Sequence, residues 1–477
     1  MINWAELDFD EPLTPAFSCQ LNTGLPKDAD GNPPALPARI YVDDSFVLGV
    51  SVPHMKQTLA ALIEAIFVVL GPPEIDKRQC PLALDKWIKL IVGPVQTFLG
   101  LTVNTSRMIV SIPRHYIDEV LVILNETWHP CRKQFTVQEA QTLTGKLAHL
   151  APAPWVFHLL THMYASIAHA LKSNKALLAK KSEKFRELLN SLRSESSNPS
   201  DIHRVVNFAL KMFAKMTHHA STKYNITKTM RYEIEFFWDE LPGSSGTRWE
   251  TPIAHIVKRS PIFVCYGDSC LDGAGGYSVA LGFWWHIKFP YDIVQRTLLH
   301  KANNDDGKLI SINVLVFITV IINYMASLHV LELTKPTEDP YPVLLNITDN
   351  SSAQRWTTTN CKGSTTGRLL ARLFCSLLIN SPLGINSKWI PTADNYIADD
   401  ISQLKFDRSP NSLPSFDYGS LKQKYQELKH CIFFQLNPEI ASLLWETALT
   451  EKWPCRETIK LLKQKPLGKL ITSNGPK

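Results

Sequence analysis

Residues 261–289 read PIFVCYGDSCLDGAGGYSVALGFWWHIKF, and they set the pattern for the second half of the chain. A β-prone run at 262–266 leads to Asp268, and the glycine-rich stretch 272–276 reads as a turn. Two further β-prone runs follow at 277–281 and 283–289. Short apolar runs bounded by turn residues are typical of strands. We therefore predict three consecutive strands here.

The residues that follow alternate between helical and strand patterns. They predict, in order, an uncharged apolar helix at 309–331, a strand at 343–347, a helix at 367–378, a strand at 385–390 and a helix at 395–404. Three strands followed by alternating helices and strands indicate a mixed α/β domain with helices packed on a sheet.

Three aspartates are each predicted to lie at or just beyond the end of a strand of this domain: Asp268, Asp349 and Asp399. Ligands of α/β folds gather at the carboxyl ends of strands. Three carboxylates that converge there can hold two Mg²⁺ ions, which activate a water and stabilise the leaving oxygen of a phosphodiester. In the alternative interpretation each aspartate caps a helix or turn, and Asp349 precedes a good N-cap context at Asn350-Ser-Ser352.

A second acidic motif lies in the first half. Residues 40–50 place Asp43 and Asp44 between two short β-prone runs, which predicts a hairpin with two adjacent carboxylates at its turn. Adjacent carboxylates repel each other, and a hard divalent cation that binds their oxygens offsets this repulsion. Farther along, the sequence predicts a helix at 55–70, a hairpin from 97–103 and 108–112, and a capping box from Thr136 to Glu139.

The bulk composition restricts the class of protein. The chain has 477 residues, enough for two to four domains, and a net charge of +6, which suits a nucleic-acid partner. Its nine cysteines form no zinc-type cluster and no disulfide framework is expected. The acidic N-terminus has no apolar signal-peptide region, so we expect an intracellular protein of the cytoplasm or nucleus that is not secreted.

Several motifs resemble those of retroelement polymerases. Gly267-Asp268-Ser269, Thr348-Asp349-Asn350-Ser351 and the segment from Asn395 through Asp399 to Ser402 resemble the three aspartate motifs of retroelement ribonuclease H domains. Tyr41-Val-Asp-Asp44 resembles the polymerase metal site of reverse transcriptases. Phe98-Leu-Gly100 resembles the primer-grip hairpin, and 143–149 resembles the thumb helix after it. In order and spacing the set is similar to DIRS-like retrotransposon polyproteins.

This resemblance implies an α+β multidomain fold, with a partial reverse-transcriptase palm and a helical thumb followed by a ribonuclease H-like mixed α/β domain. The implied segments are 1–37 as a loosely ordered N-terminal segment, 38–112 as a partial palm, 113–193 as a thumb-like region, 194–259 as a connection, 260–405 as the ribonuclease H-like domain and 406–477 as a helical tail. The implied partner is an RNA–DNA hybrid or a primer–template duplex, without a small-molecule cofactor.

The implied site residues follow the motifs. Asp43, Asp44, Asp268, Asp349 and Asp399 would be catalytic and would bind Mg²⁺ or Mn²⁺, while Arg132, Lys133 and Lys146 would contact nucleic acid. For each of these cations, a solvated position on a helical face is an equally good interpretation. Trp284, Trp285 and Trp389 lie in strand patterns and are predicted to be core residues rather than base-stacking surfaces.

Two departures from the family pattern bear on activity. Where a ribonuclease H of this kind carries a glutamate on its first long helix, this chain has Val316. Forty residues precede Tyr41, too few for a complete palm. We therefore expect impaired catalysis with residual nucleic-acid binding. The alternatives are a non-catalytic nucleic-acid-binding or protein-interaction module, and a membrane protein that spans at 309–331.

Overall fold

The computed structural model describes residues 39–41, 44–46, 52–71, 93–98, 100–150, 160, 163–172, 183–184, 187, 223–241, 249–256, 260–301, 310–335, 337–358, 361, 363–404 and 418–471. The chain divides into two compact units, Met1–Gln96 and Thr97–Lys477. The predicted loosely ordered segment 1–37 lies outside the described residues.

The first unit contains a short hairpin and a helix. Strands β1 (Arg39–Tyr41) and β2 (Asp44–Phe46) pair antiparallel, with Tyr41 opposite Asp44. This arrangement confirms the predicted hairpin, although Asp43 lies outside the described residues. Helix α1 (Val52–Leu70) begins three residues before the predicted start and buries Leu59 and Ile63, which lie one helical turn apart.

The remaining strands belong to three sheets. They are β3 (Val95–Phe98), which crosses the division between the units, β4 (Leu101–Asn104), β5 (Ile109–Ser111), β6 (Gln134–Phe135), β7 (Tyr224–Asn225), β8 (Glu250–Pro252), β9 (Phe263–Ser269), β10 (Gly273–Ser278), β11 (Phe283–Lys288), β12 (Val343–Thr348), β13 (Gly384–Trp389), β14 (Ile432–Leu436) and β15 (Gly468–Ile471). Strands β3-β4-β5-β8 form one sheet, and β6 pairs with β7.

The helices of the second unit surround these sheets. They are α2 (Arg114–Val122), α3 (Val137–His149), α4 (Lys228–Glu240), α5 (Ile253–Ile256), α6 (Tyr291–Lys301), α7 (Ile312–Thr334), α8 (Ser351–Trp356), α9 (Thr365–Leu378), α10 (Tyr396–Gln403), α11 (Tyr418–Lys424), α12 (Pro438–Thr450) and α13 (Arg456–Gln464). Residues 163–172 are also helical.

The largest sheet has seven strands in the order β13-β12-β9-β10-β11-β14-β15. Strands β9, β10 and β11 form an antiparallel meander, while β12 runs parallel to β9 and β13 parallel to β12. This order agrees with the predicted mixed α/β domain. The predicted helical tail at 406–477 does contain helices α11, α12 and α13, but it also contributes β14 and β15, which extend the same sheet beyond β11.

The glycine-rich stretch after Asp268 is also different from the prediction. Four residues predicted as a turn, 273–276, are the first part of strand β10. A Cβ at Gly275 would lie 2.4 Å from Cγ2 of Ile401, and one at Gly276 would lie 2.3 Å from Oδ1 of Asn323. These glycines therefore let helices approach both faces of the sheet, rather than turning the chain.

Helix α7 is a core helix. It is the one helix in the described part of the chain that is long and apolar enough to cross a membrane, yet 94% of its apolar window is buried inside the protein. It packs on β9, β10 and β12 and forms the centre of the largest apolar cluster. Burial on all sides explains the uncharged composition that suggested a membrane span.

The helices before the large sheet form a second core. The predicted capping box is present, since Thr136 accepts from the backbone N–H of Glu139 and the Glu139 carboxylate accepts from the backbone N–H of Thr136. Helices α2, α3 and α4 bury an apolar cluster that also includes Leu369 and Cys375 of α9. Helix α9 therefore contributes residues to both apolar clusters, since Leu370 and Leu373 belong to the larger one.

Candidate functional site

The large sheet brings the three aspartates to one edge. Asp268 lies on β9, Asp349 directly follows β12, and Asp399 lies in the first turn of α10. Because β9 and β12 are parallel neighbours, their carboxyl ends meet at the same edge. Asn395, at the start of α10, donates from Nδ2 to the carbonyl oxygen of Gly267 at 3.2 Å. This bond holds the helix that carries Asp399 against β9.

The three carboxylates interact electrostatically. Asp268 is buried, whereas Asp349 and Asp399 are half-buried. Burial, the negative charges of Asp349 and Asp399 and a hydrogen bond to Asp349 together raise the pKa of Asp268 to about 8. A proton on Asp268 relieves the repulsion between its carboxylate and that of Asp349.

The donor chemistry of this edge fits a hard divalent cation, since carboxylate oxygens are the ligands that Mg²⁺ and Mn²⁺ prefer. Oδ1 of Asn395 is buried and accepts no hydrogen bond from the described residues. However, in the ranges that the structure describes, no three histidine, cysteine, aspartate or glutamate side chains are grouped so that they could hold a metal ion together. The direct pair is Asp268 and Asp349, with Asp399 interacting electrostatically.

The capping interpretation of Asp349 is wrong, because its neighbour Asn350 caps α8. Oδ1 of Asn350 accepts from the backbone N–H of Ala353 at 2.9 Å. Nδ2 of Asn350 donates to Oδ1 of Asn313, in the first turn of α7, at 2.8 Å. The first turn of α7 is therefore tied to the same edge of the sheet as Asp349.

Val316 lies on the side of α7 that faces this edge. Residues three or four positions apart share one face of a helix, and Asn313, Val316, Thr319 and Asn323 have this spacing. A Cβ at Gly267 would lie 2.8 Å from Cγ2 of Thr319 and 2.5 Å from Nδ2 of Asn323, so this face covers β9. Val316 is 2% exposed. An apolar side chain thus occupies the position where the family resemblance implies a glutamate.

One aromatic residue at the edge differs from its prediction. Trp284 and Trp285 are buried, as predicted, but Trp389, the last residue of β13, is 48% exposed. Its indole Nε1 donates to the backbone carbonyl of Asp349 at 2.8 Å. The prediction of a core position is wrong because β13 is an edge strand, so one side of its terminal residue is open.

The predicted nucleic-acid contacts differ in how accessible they are. The Arg132 guanidinium donates to the carbonyl oxygen of Thr127, to that of Gln134 and to the Glu139 carboxylate. Lys146 bonds Glu119 at 2.8 Å. Lys133 is exposed. Arg132 therefore has a structural role around the capping box, and Lys133 is the most accessible cation of the three.

The acidic pair of the first unit is only partly described. Asp44 is the first residue of β2, in register with Tyr41, and its side chain lies outside the described part of the structure, as does the whole of Asp43. The assignment of this pair as a polymerase metal site stays a prediction.

Comparisons with known proteins give little. No family model matches the sequence, and no curated protein matches it. A solved structure of the foamy viral protease–reverse transcriptase in complex with double-stranded DNA aligns with a TM-score of 0.27 and 11% identity, over 78% of this chain and 48% of that one. This chain therefore spans about half the length of that protein. At this TM-score the likeness carries no argument about fold or function.

Proposed function

We propose that this chain belongs to the reverse transcriptase/ribonuclease H lineage of DIRS-like retroelements, and that its seven-stranded domain is a ribonuclease H-like domain that binds nucleic-acid duplexes and cleaves them poorly. The observation that carries the proposal is the meeting of Asp268, Asp349 and Asp399 at one edge of a mixed sheet. These residues come from three motifs in the order that the family resemblance implies.

The same edge supports the expectation of impaired catalysis. Metal-assisted phosphodiester cleavage needs enough carboxylates to hold the ions that activate water and stabilise the leaving oxygen. Val316 supplies no oxygen, and the pKa of Asp268, raised by burial and by Asp349, favours a proton over a weakly held cation at neutral pH.

Mg²⁺ or Mn²⁺ bound here would be held by Asp268 and Asp349, with the charge of Asp399 adding to the attraction, and would polarise a phosphate oxygen. The residues of the chain perform the remaining tasks. Asn395 positions the helix that carries Asp399, and the Asn313–Asn350 bond positions the loop of Asp349. Asp268 must lose its proton before its carboxylate can bind a cation.

A duplex would be held mainly through its phosphates, so its binding should weaken as salt increases. Exposed Lys133 is the first candidate contact, and Lys146 would have to leave Glu119 in order to contribute. The second candidate function, a nucleic-acid-binding module without turnover, is favoured by Val316. Salt-dependent binding to a primer–template duplex without any cleavage by the Val316→Glu variant would select it.

Cleavage of an RNA–DNA hybrid by the full chain tests the leading proposal. With Mg²⁺ or Mn²⁺, we expect little cleavage by the native chain and increased cleavage by Val316→Glu. The double variant Val316→Glu/Asp268→Asn should again be inactive. Robust cleavage by the native chain, abolished by Asp268→Asn alone, would overturn the proposed impairment.

The acidic pair of the first unit needs its own test. We propose that Asp43 and Asp44 bind Mg²⁺ or Mn²⁺ weakly, because adjacent carboxylates at a hairpin turn favour a cation. Calorimetric titration of the full chain should show a binding event that disappears in the variant with Asp43→Asn and Asp44→Asn. An unchanged titration would remove these two residues from the metal site.

A further inference from the structure

Trp389 is an exposed aromatic side chain that the proposed metal site does not use. The residue is 48% exposed. The only hydrogen-bond donor of its side chain, Nε1, donates to the carbonyl oxygen of Asp349 at 2.8 Å. The polar atom of the ring is therefore satisfied inside the protein, and the exposed part of the side chain is apolar. The bond also fixes the ring beside the residue that pairs with Asp268.

Two exposed cations, Lys388 and Arg355, belong to the strand of Trp389 and to the helix packed beside that strand. Lys388 is the preceding residue of β13 and is exposed. Helix α8 packs beside β13. Nε2 of Gln354 in this helix donates to the carbonyl oxygen of Ser387 at 3.4 Å. The next residue of the helix is Arg355, which is exposed. Because neighbouring side chains of a strand point to opposite faces, Lys388 lies on the other face of β13 from the indole, and Arg355 is the cation on the adjacent helix α8.

We propose that Trp389 is a stacking surface for an unpaired base of a nucleic-acid strand whose backbone passes the edge formed by Asp268 and Asp349. This proposal rests on the proposed function. It specifies further that the edge prefers nucleic acid that is single-stranded or has frayed ends. Stacking on an aromatic side chain needs no hydrogen bond from the ring, and every base has a face that can stack.

The charges favour a nucleotide over an apolar peptide side chain as the occupant. A nucleotide combines a flat apolar ring with a phosphate, and here an open indole lies on a strand that also carries exposed Lys388 and that packs against the helix of exposed Arg355. The carboxylates of Asp268 and Asp349 would meet a phosphate only through a divalent cation. A single strand that stacks on Trp389 can therefore place its next phosphate beside the proposed cation.

Binding of single-stranded oligonucleotides that contain 2-aminopurine tests the proposal on the full chain. Base stacking changes the fluorescence of this analogue, so the native chain should quench it on binding. Stacking contributes about 1–3 kcal/mol per base, so Trp389→Ala should weaken single-strand binding about 5- to 150-fold and abolish the quenching. Affinity for a blunt duplex of the same sequence should change less than two-fold.

Two variants separate stacking from a structural role. Trp389→Phe keeps a flat ring but loses the bond to Asp349, so it should retain most of the single-strand affinity. Tyr291→Ala removes an exposed aromatic side chain of α6, 75% exposed and outside the proposed site, and should bind like the native chain. Loss of binding in Trp389→Phe equal to that in Trp389→Ala would overturn the stacking role.

The remaining outcomes distinguish failure of the stacking proposal from failure of the proposed nucleic-acid-binding function. Equal single-strand affinity of the native chain and Trp389→Ala would overturn stacking while leaving duplex binding intact. Absence of binding to every oligonucleotide would overturn both. Capture of an apolar peptide by the native chain, without any oligonucleotide binding, would identify the surface as a peptide site instead.

Discussion

Arg372 of α9 and Glu233 of α4 form a buried ion pair, with Nη2 of the arginine 3.2 Å from Oε1 of the glutamate. The side chains are 4% and 0% exposed. Oε2 of Glu233 accepts from the backbone N–H of Met163 at 2.8 Å. One carboxylate therefore connects a helix on the large sheet, a helix of the preceding region and the start of the helical stretch 163–172.

Removing the cation of this pair should strongly destabilise the second unit. Arg372→Met leaves the Glu233 carboxylate buried without its cation, and breaking a buried pair in this way costs about 3–5 kcal/mol. Chemical denaturation of the full chain measures the change. The double variant Arg372→Met/Glu233→Gln should recover part of the loss, because no unpaired charge remains. A loss below 1 kcal/mol for the single variant would contradict this account.

The Arg132–Glu139 pair should make stability fall in acid. Burial alone would raise the pKa of Glu139, but hydrogen bonds from Arg132 and Thr136 hold it at about 2, below its ordinary value of 4.5. A lowered pKa stabilises the fold above pH 4.5, and this contribution is lost as the pH falls from 4.5 towards 2. Thermal unfolding of the native chain and Glu139→Gln should show a difference at pH 6 that shrinks by pH 3. A constant difference across this range would exclude the effect.

The contribution of Asp268 to stability should depend on pH in the opposite direction to that of Glu139. For Asp268 the pKa of about 8, raised first by burial and then by Asp349, exceeds the ordinary value of 3.8. The unfolded chain therefore releases this proton more easily, so the native chain loses stability relative to Asp268→Asn as the pH rises from 4 to 8. Metal-free thermal unfolding of both proteins measures this. A stability difference that does not change between pH 5 and pH 8 would show that Asp268 is not protonated in the folded chain.

Two glycines should respond to alanine in opposite directions. Gly276→Ala places a Cβ 2.3 Å from Oδ1 of Asn323 and 2.7 Å from the carbonyl oxygen of Tyr266, so the helix must move and the variant should be destabilised by about 1–3 kcal/mol. Gly145 of α3 is exposed and has no atom within 4 Å of a Cβ, so Gly145→Ala should stabilise by about 0.5–1 kcal/mol. Chemical denaturation of each variant measures the sign of the change in the free energy of unfolding. Equal changes would contradict the close packing of α7 on β10.

The features that follow from neighbours along the chain were predictable. The capping box of α3 depends on two residues three positions apart, and β9, β11, α7, β12, α9, β13 and α10 follow from local apolar periodicity. Features that depend on distant partners were not predictable. The added strands β14 and β15 and the glycines of β10 were predicted incorrectly, because strand pairing and helix approach are set by burial across the whole domain.

The features of the candidate site can likewise be separated into those predictable from the sequence and those that depend on the fold. The sequence by itself predicted a site from Asp268, Asp349 and Asp399, and it determined that valine occupies position 316, where its family resemblance implies a glutamate. Only the tertiary structure decided that Asp268 is buried beside Asp349, that Asn350 rather than Asp349 caps α8, and that Trp389 is open to solvent. Side-chain chemistry is set by residue type, but pKa and exposure depend on what the fold places around each group.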